Sequence, residues 1–222
     1  MNGKIARFRD WFAPVATLAL LAANTPAPAP TPAGSVLTTS AAYQHLVQNW
    51  AGIKTMSSEL QVQTRKRGFP PISLTLHGHT YFAAPDKFAT VFDGVPGLLR
   101  GMVSDRPSIA PPAAWPDMYA ATIESDQNGK TTFRLIPKDP DSGLDHVDAV
   151  VNDATGFVEE YDFDGKNGTA TTTYNTYAQV CGYALIVSQT GVSRGRGYHA
   201  DVTASFTNYA INTQLPPNAF DR

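Results

Sequence analysis

After residue 55 the chain alternates between hydrophobic and polar positions in a series of short segments. In residues 58–64, SELQVQT, Leu60 and Val62 fall on one side of an extended chain and two glutamines fall on the other. Turn-forming pairs separate such segments, and Asn128-Gly129 is typical of a tight β-hairpin. This spacing predicts about nine or ten strands in a mostly antiparallel meander.

The predicted strands share this alternation or a run of β-branched and aromatic residues. They are SELQVQT, ISLTLHGHTYF, KFATVF, YAATIES, KTTFRLIPK, HVDAVVN, FVEEYDF, TATTTYNTY, YALIVSQ and YHADVTASFTNYAIN. Residues 100–118 are rich in proline and predict a loop with room for a short helix.

The segment HGHTYFAAPDKFATVF, residues 77–92, predicts a hairpin that turns at residues 84–86. Leu74 and Leu76 share one face of the first strand, and Phe82 joins them if no bulge intervenes at Gly78. Two more apolar side chains, Phe88 and Phe92, share a face of the partner strand. The pair of strands therefore predicts a strongly apolar surface.

One amphipathic helix is predicted after residue 39. Thr39 or Ser40 can cap its start, and Gly52 can end it. Its apolar positions follow the helical spacing and lie on one face; they are Tyr43, Leu46, Val47 and Trp50.

Ten strands would form a sheet about 45 Å wide, whereas one helix covers a stripe of about 10 Å. The sheet must therefore close into a barrel, fold on itself, or curl around a hollow beneath a partial lid. A filled β-sandwich or small barrel and an apolar cavity with a lid both satisfy the pattern.

Residues 1–23 predict an export signal. Lys4, Arg7 and Arg9 precede an apolar run at 11–23 that is short for a membrane span. The run contains no cysteine, so we do not expect a lipoprotein of the usual bacterial type. A Pro/Ala-rich spacer is predicted at 24–38, extended in character, and one folded domain at 39–222.

The composition suits a folded extracytoplasmic domain. Hydrophobic residues make up 42% of the chain and charged residues 16%. The net charge of −2 provides no basic excess for nucleic acid. Cys181 is the single cysteine and is expected to be a small buried hydrophobe.

No catalytic or metal-binding motif stands out. His77 and His79 share a strand face, but no third ligand is near in sequence, and a solvated face is the expected role. His77 or His146, the latter near Asp145 and Asp148, would be the general base of a hydrolase if there is one. The expectation is no enzyme, no cofactor and no metal.

The order of elements resembles the LolA/LolB/LppX-like superfamily of extracytoplasmic lipoprotein and lipid carriers. The resemblance rests on an exported chain, a first amphipathic helix, and two later motifs. The motif residues are Tyr81 or Phe82, Pro85, Asp86 and Phe88 in the hairpin, and Tyr209, Asn212 and Phe220 near the end.

This resemblance implies a mainly β fold, an incomplete antiparallel barrel with a helical lid over an apolar cavity. In the best-known carriers a basic residue before the proline helps to hold the lid shut, whereas this chain has Ala84 there. The expected partner is a lipid or lipoprotein acyl chain, with an envelope membrane or acceptor protein to receive it, and the expected state is a periplasmic or otherwise extracytoplasmic monomer. The candidate ligand-binding residues are Leu74, Leu76, Phe82, Phe88, Phe92, Tyr43 and Trp50.

Three functions stay open at this point. A connected apolar cavity would favour a lipid carrier, a cleft with converging His, Asp and Ser would favour a hydrolase, and a tightly packed interior would favour a structural or interaction domain.

Overall fold

A computed structural model describes residues 33–67, 72–94, 109–195 and 198–220 of the chain. Its helices are α1 (Ala33–Thr39), α2 (Ala41–Asn49), a 3-10 turn (Pro112–Ala114) and α3 (Trp115–Met118). Its strands are β1 (Thr55–Lys66), β2 (Ile72–Ala83), β3 (Lys87–Phe92), β4 (Tyr119–Gln127), β5 (Lys130–Pro137), β6 (Leu144–Asn152), β7 (Phe157–Gly165), β8 (Ala170–Val180), β9 (Tyr183–Gly195) and β10 (Tyr198–Ile211).

The ten strands form one antiparallel sheet in the order β3-β2-β1-β10-β9-β8-β7-β6-β5-β4. Neighbours in sequence are neighbours in the sheet, except that β1 pairs with β10 and that β3 and β4 lie at opposite edges. The sheet is not closed into a barrel. The predicted class, a mainly β curled sheet with a helical lid, is confirmed.

Helix α2 begins where the sequence predicts. The Ser40 side chain accepts a hydrogen bond from the Tyr43 backbone amide at 3.4 Å and so caps the helix. Gly52, at a φ of 88°, turns the chain toward β1 just beyond the helix end. Helix α1, in contrast, was not predicted, because the spacer pattern suggested an extended chain at residues that are helical from Ala33 onward.

The helices cover one half of the sheet. Helix α1 packs on β4, and α2 packs on β6 and β7. Trp115 of α3 is almost fully buried, as are Phe133, Leu135 and Val147 on the sheet beneath the helices. The members of this helix-covered core are Leu37, Ala42, Tyr43, Leu46, Trp115, Tyr119, Ala121, Phe133, Leu135, Val147, Ala149, Val151, Val158, Tyr161 and Phe163.

The prediction that Cys181 is buried is wrong. Cys181 is exposed and lies with Gly182 in the two-residue turn between β8 and β9. Both residues have positive φ values, 51° and 84°, which is the backbone of a tight hairpin turn whose twist matches the strands. The turn places the thiol at the end of the sheet and away from the core.

Candidate functional site

The inner face of the sheet, on which the helices pack, continues beyond the helix-covered core. Strand register assigns the faces, because side chains alternate along each strand. Val62 lies opposite Leu76 of β2 and Ala204 of β10, and Leu60 lies opposite Phe206. Residues paired across neighbouring strands lie on the same face of a sheet. The pairing continues from β10 through β9 and β8 to Tyr161 of β7, which belongs to the helix-covered core, so these side chains lie on the same face as that core.

A second apolar surface occupies this face on β1, β2, β3 and β10, and we call it the inner patch. The described helices pack chiefly on β4, β6 and β7, on the other half of the sheet. Leu60, Val62 and Leu76 are nevertheless buried, while Leu74 and Phe92 are half-buried. The inner patch consists of Leu60, Val62, Leu74, Leu76, Phe92, Val202, Ala204 and Phe206.

An aromatic cluster closes one end of the inner patch. Trp50, at the end of α2, packs edge-on against Phe82 of β2 with ring centroids 5.3 Å apart. Tyr209 of β10 donates its hydroxyl hydrogen bond to the Ile186 carbonyl oxygen, and burial raises its pKa. The cluster comprises Ile53, Met56, Phe82, Leu185, Trp50, Phe88, Val180, Tyr183, Tyr209 and Ile211.

A polar band separates the inner patch from the helix-covered core. It lies on β8 and β9, and its side chains are uncharged. The Thr171 and Ser193 hydroxyls are 2.9 Å apart, and the Gln189 amide donates a 2.8 Å hydrogen bond to Asn175. The Thr173 hydroxyl is shielded from solvent and has no hydrogen-bond partner among the described residues. This band offers hydrogen bonds to a neutral polar group beside an apolar surface.

Gly191 of β9 lies directly against the backbone of β8 beside Thr173. The two residues are paired across β8 and β9. A Cβ at position 191 would lie 2.1 Å from the Thr172 carbonyl oxygen, so the two strands approach more closely there than any side chain permits. Glycine at this position therefore allows β8 and β9 to pack closely beneath the polar band.

The structure separates the predicted site residues into three groups. Leu74, Leu76 and Phe92 lie together in the inner patch, as the strand period predicts. Phe82, Phe88 and Trp50 belong to the aromatic cluster at its end. No register shift occurs at Gly78, so Phe82 does share the face of Leu76.

Tyr43 lies apart from these groups, inside the helix-covered core. Its hydroxyl donates a 2.8 Å hydrogen bond to the Pro112 carbonyl oxygen, which fastens α2 to the 3-10 turn. Burial, assisted by the charge of Asp117, raises the pKa of Tyr43 to about 12. Its ring also contacts Trp115 and Phe133, so its position is that of a packing residue.

Sequence reasoning missed the contribution of β10 to the inner patch. Val202, Ala204 and Phe206 follow the strand alternation, so their common face could be predicted. Their pairing with β1 could not, because the two strands are separated by nearly the whole domain.

Charged groups occupy the outer face. His77 and His79 lie there in a groove of about 310 Å³ with Glu59 and Asp93. His79 Nε2 is 3.7 Å from an Asp93 carboxylate oxygen. Among the described residues, no group of three or more His, Cys, Asp or Glu side chains is arranged to hold a metal ion.

His146 also lies on the outer face and is surrounded by carboxylates. Its Nδ1 is 3.0 Å from Asp145, and its Nε2 is 3.3 Å from Asp164 and 3.8 Å from Asp148. In the described part of the chain no serine, threonine or cysteine hydrogen-bonds this histidine. His146 therefore lies in a cluster of carboxylates, which Arg134 extends through two hydrogen bonds to Asp148.

Solved structures of known proteins share this fold. A domain from Vibrio parahaemolyticus assigned to outer membrane lipoprotein sorting aligns with a TM-score of 0.60 at 15% identity, over 85% of this chain and 97% of its own. A DUF1329 family protein from Desulfovibrio piger aligns with a TM-score of 0.59 at 13% identity, over 82% and 96%. A LolA superfamily protein from Nitrosomonas europaea aligns with a TM-score of 0.52 at 9% identity, over 81% and 97%.

The fold resemblance predicted from the sequence is thereby confirmed. No family model matches the chain, and no curated protein matches it by sequence. Within the described ranges, none of the helices combines the length and hydropathy that a membrane span requires.

Proposed function

We propose that this protein is an exported, non-catalytic carrier that binds a lipid, or the acyl chain of a lipoprotein, on the inner patch. The observation that carries the proposal is the inner patch itself, an apolar surface on four strands that the described helices leave to one side. The likeness to a lipoprotein-sorting domain and to a LolA superfamily protein supports it.

The chemistry of the inner face suits such a ligand. From β7 to β3 its described side chains are apolar or neutral, and Lys66 at the end of β1 is the one charged group. Each buried methylene of an acyl chain contributes about 0.8 kcal/mol. Acyl methylenes would lie on Leu74, Leu76 and Phe92, while ester or amide groups would meet the polar band.

The proposal includes the absence of catalysis. The two histidines that could serve a hydrolase lie on the outer face, away from the inner patch. The described neighbours of His146 are carboxylates, and they include no nucleophile for a hydrolase. We also propose export to the periplasm or another extracytoplasmic space, with removal of residues 1–23, and N-terminal sequencing of envelope-purified protein would begin after about residue 22. Intact Met1 in cytosolic protein would contradict export.

Native mass spectrometry of protein purified from cells tests lipid binding directly. A retained lipid would add its mass to the folded protein, and uptake of a fluorescent fatty-acyl probe would measure affinity. Protein that carries no added mass and takes up no probe would favour the alternative, a structural or interaction domain with a filled core.

Two leucines on the inner face provide a matched pair for this test. Leu74 is half-buried in the inner patch, whereas Leu135 is fully buried beneath the helices. We expect Leu74→Gln to weaken probe uptake by roughly tenfold or more, with a melting temperature within about 4 °C of wild type. Leu135→Gln buries an amide that lacks partners, at about 1–3 kcal/mol plus lost packing, so it should melt far lower.

The neighbour of Leu135 supplies the surface control. Ile136 points to the outer face and is 46% exposed, so Ile136→Gln should alter neither probe uptake nor melting temperature appreciably. Equal loss of stability in the Leu74 and Leu135 variants would show that the inner patch is ordinary core.

A further inference from the structure

The end of the sheet opposite the aromatic cluster carries a group of basic side chains that the proposed binding site does not use. They lie on three adjacent strands, where β1 ends, β9 ends and β10 begins. Lys66 pairs with Ala200, and Arg194 pairs with His199. We call this group the basic rim, and its members are Arg65, Lys66, Arg67, Arg194 and His199.

The basic rim has an excess of positive charge. On the ends of β1, β2, β9 and β10 that the structure describes, Asp201 is the only acid. Asp201 accepts two hydrogen bonds from Arg67, at 2.6 and 2.9 Å. These bonds lower the pKa of Asp201, and the charges of His199 and Arg65 act in the same direction.

An exposed apolar side chain lies within the basic rim. Ile72 begins β2 directly opposite Lys66 and is 41% exposed. Arg65 and Arg194 are exposed as well. An apolar side chain among cations at the protein surface is the pattern by which peripheral proteins enter the interface of an anionic membrane.

Charge is distributed unevenly along this end of the sheet. Beyond β8 the same end carries more acids than bases among the described residues of β5–β7 and their turns. The acids are Asp139, Asp141, Asp145 and Asp164, and the bases are Lys138 and Lys166. An anionic surface would attract the β1–β2–β9–β10 half and repel the β5–β7 half. The attracted half is the one that bears the inner patch.

We propose that the basic rim, with Ile72 at its centre, docks the protein on a membrane surface rich in anionic phospholipid. The contact is peripheral and electrostatic. It does not depend on which ligand the inner patch binds. The net charge, −2 for the full chain and −4 without residues 1–23, would otherwise keep this protein away from an anionic surface. In this orientation the open end of the inner patch faces the membrane, because Leu74 follows Ile72 by two residues on the same face of β2.

Vesicle flotation tests the proposal with the protein as purified. Wild type should float with vesicles of phosphatidylglycerol and phosphatidylcholine in equal amounts at low salt. It should stay behind with vesicles of phosphatidylcholine alone, and binding should fall steeply as salt is added. No flotation with the anionic vesicles would overturn the proposal.

Charge variants locate the contact. In Arg65→Gln/Arg194→Gln the partition coefficient should fall roughly 25-fold, since each basic residue near an anionic surface contributes about a factor of five. The control Lys54→Gln/Lys87→Gln removes the same charge at the opposite end of the sheet and should change the partition coefficient less than roughly threefold. Equal losses of vesicle binding in the two variants would mean that only the net charge of the protein matters. That result would overturn the assignment of the membrane contact to the basic rim.

An isoleucine pair tests the apolar part. Ile72 and Ile123 are both 41% exposed on strands, but only Ile72 lies in the basic rim. Ile72→Ser should weaken flotation severalfold, whereas Ile123→Ser should not. Melting temperatures of all variants should stay close to wild type. Failure of flotation with intact probe uptake would refute docking alone, and loss of probe uptake with intact flotation would refute the binding site alone.

Discussion

Gly156 lies directly against the backbone of His45. A Cβ at position 156 would come within 2.7 Å of the His45 carbonyl carbon and 2.9 Å of its oxygen. Gly156 also has a φ of 65°, a conformation that other residues rarely adopt. Two side chains of α2 secure the same turn, since Asn49 donates a 2.8 Å hydrogen bond to the Thr155 carbonyl oxygen and His45 Nδ1 is 3.2 Å from the Asp153 carbonyl oxygen. The turn between β6 and β7 therefore determines how closely α2 lies on the sheet.

We expect Gly156→Ala to destabilise the protein and to displace α2. The positive φ costs about 1–2 kcal/mol, and the overlap with the His45 backbone adds about 1–3 kcal/mol. Urea denaturation would measure the free energy of unfolding. Gly129→Ala is the matched control, because Gly129 has a φ of 72° but nothing lies within 4 Å of the added Cβ. This variant should therefore lose only the free energy that the positive φ costs. Equal losses in both variants would contradict the close approach of α2.

Tyr43→Phe should lower the free energy of unfolding by about 1–3 kcal/mol. The substitution keeps the aromatic contacts but leaves the buried Pro112 carbonyl oxygen without its hydrogen bond. Thermal denaturation would follow the change. Tyr174→Phe removes a hydroxyl from a side chain that is 50% exposed and should have almost no effect. A neutral result at Tyr43 would mean that this hydrogen bond does not help to hold α2 down.

At pH 7 the charge of Glu160 is expected to lower the stability of the fold, and the charge of Glu159 is expected to raise it. Burial, and next the charge of Asp162, raises the pKa of Glu160. The folded protein thus keeps a proton that the unfolded chain loses, and stability falls as the pH rises from the usual Glu pKa through the raised one. Glu160→Gln should therefore melt higher than wild type at pH 7, and the gain should vanish below about pH 4.

The neighbouring carboxylate provides the control. Hydrogen bonds from Lys130 and Asn152 lower the pKa of Glu159, so its contribution is present above the usual Glu pKa and is lost as the pH falls through the lowered value. Glu159→Gln should melt lower than wild type at pH 7, with a difference that fades in acid. Shifts of the same sign in both variants at pH 7 would be incompatible with these environments.

The double substitution His77→Ala/His79→Ala should leave ligand uptake nearly unchanged. Both side chains lie on the outer face, and the sheet separates them from the inner patch. The fluorescent-probe affinity should stay within about twofold of wild type, as is usual for surface changes. A large loss of bound metal or of any turnover would instead assign the outer groove a chemical role.

Local signals in the sequence predicted most elements of the fold. Ser40 as a helix cap, Asn128-Gly129 as a hairpin turn and the alternation around Leu60 and Val62 all act within a few residues. Short-range sequence signals therefore predict the structure at these points. The shared face of Leu74, Leu76 and Phe82 likewise followed from the two-residue period of a strand.

Strand order was decided only by the tertiary structure. The alternation in residues 198–212 predicts a strand but does not name its partner, and the pairing with β1 brings Val202, Ala204 and Phe206 to the inner patch. The basic rim has the same origin, since it joins Arg65 to Arg194 across β10. A strand pattern specifies which side chains share a face, whereas the choice of neighbour depends on long-range burial that no short segment contains.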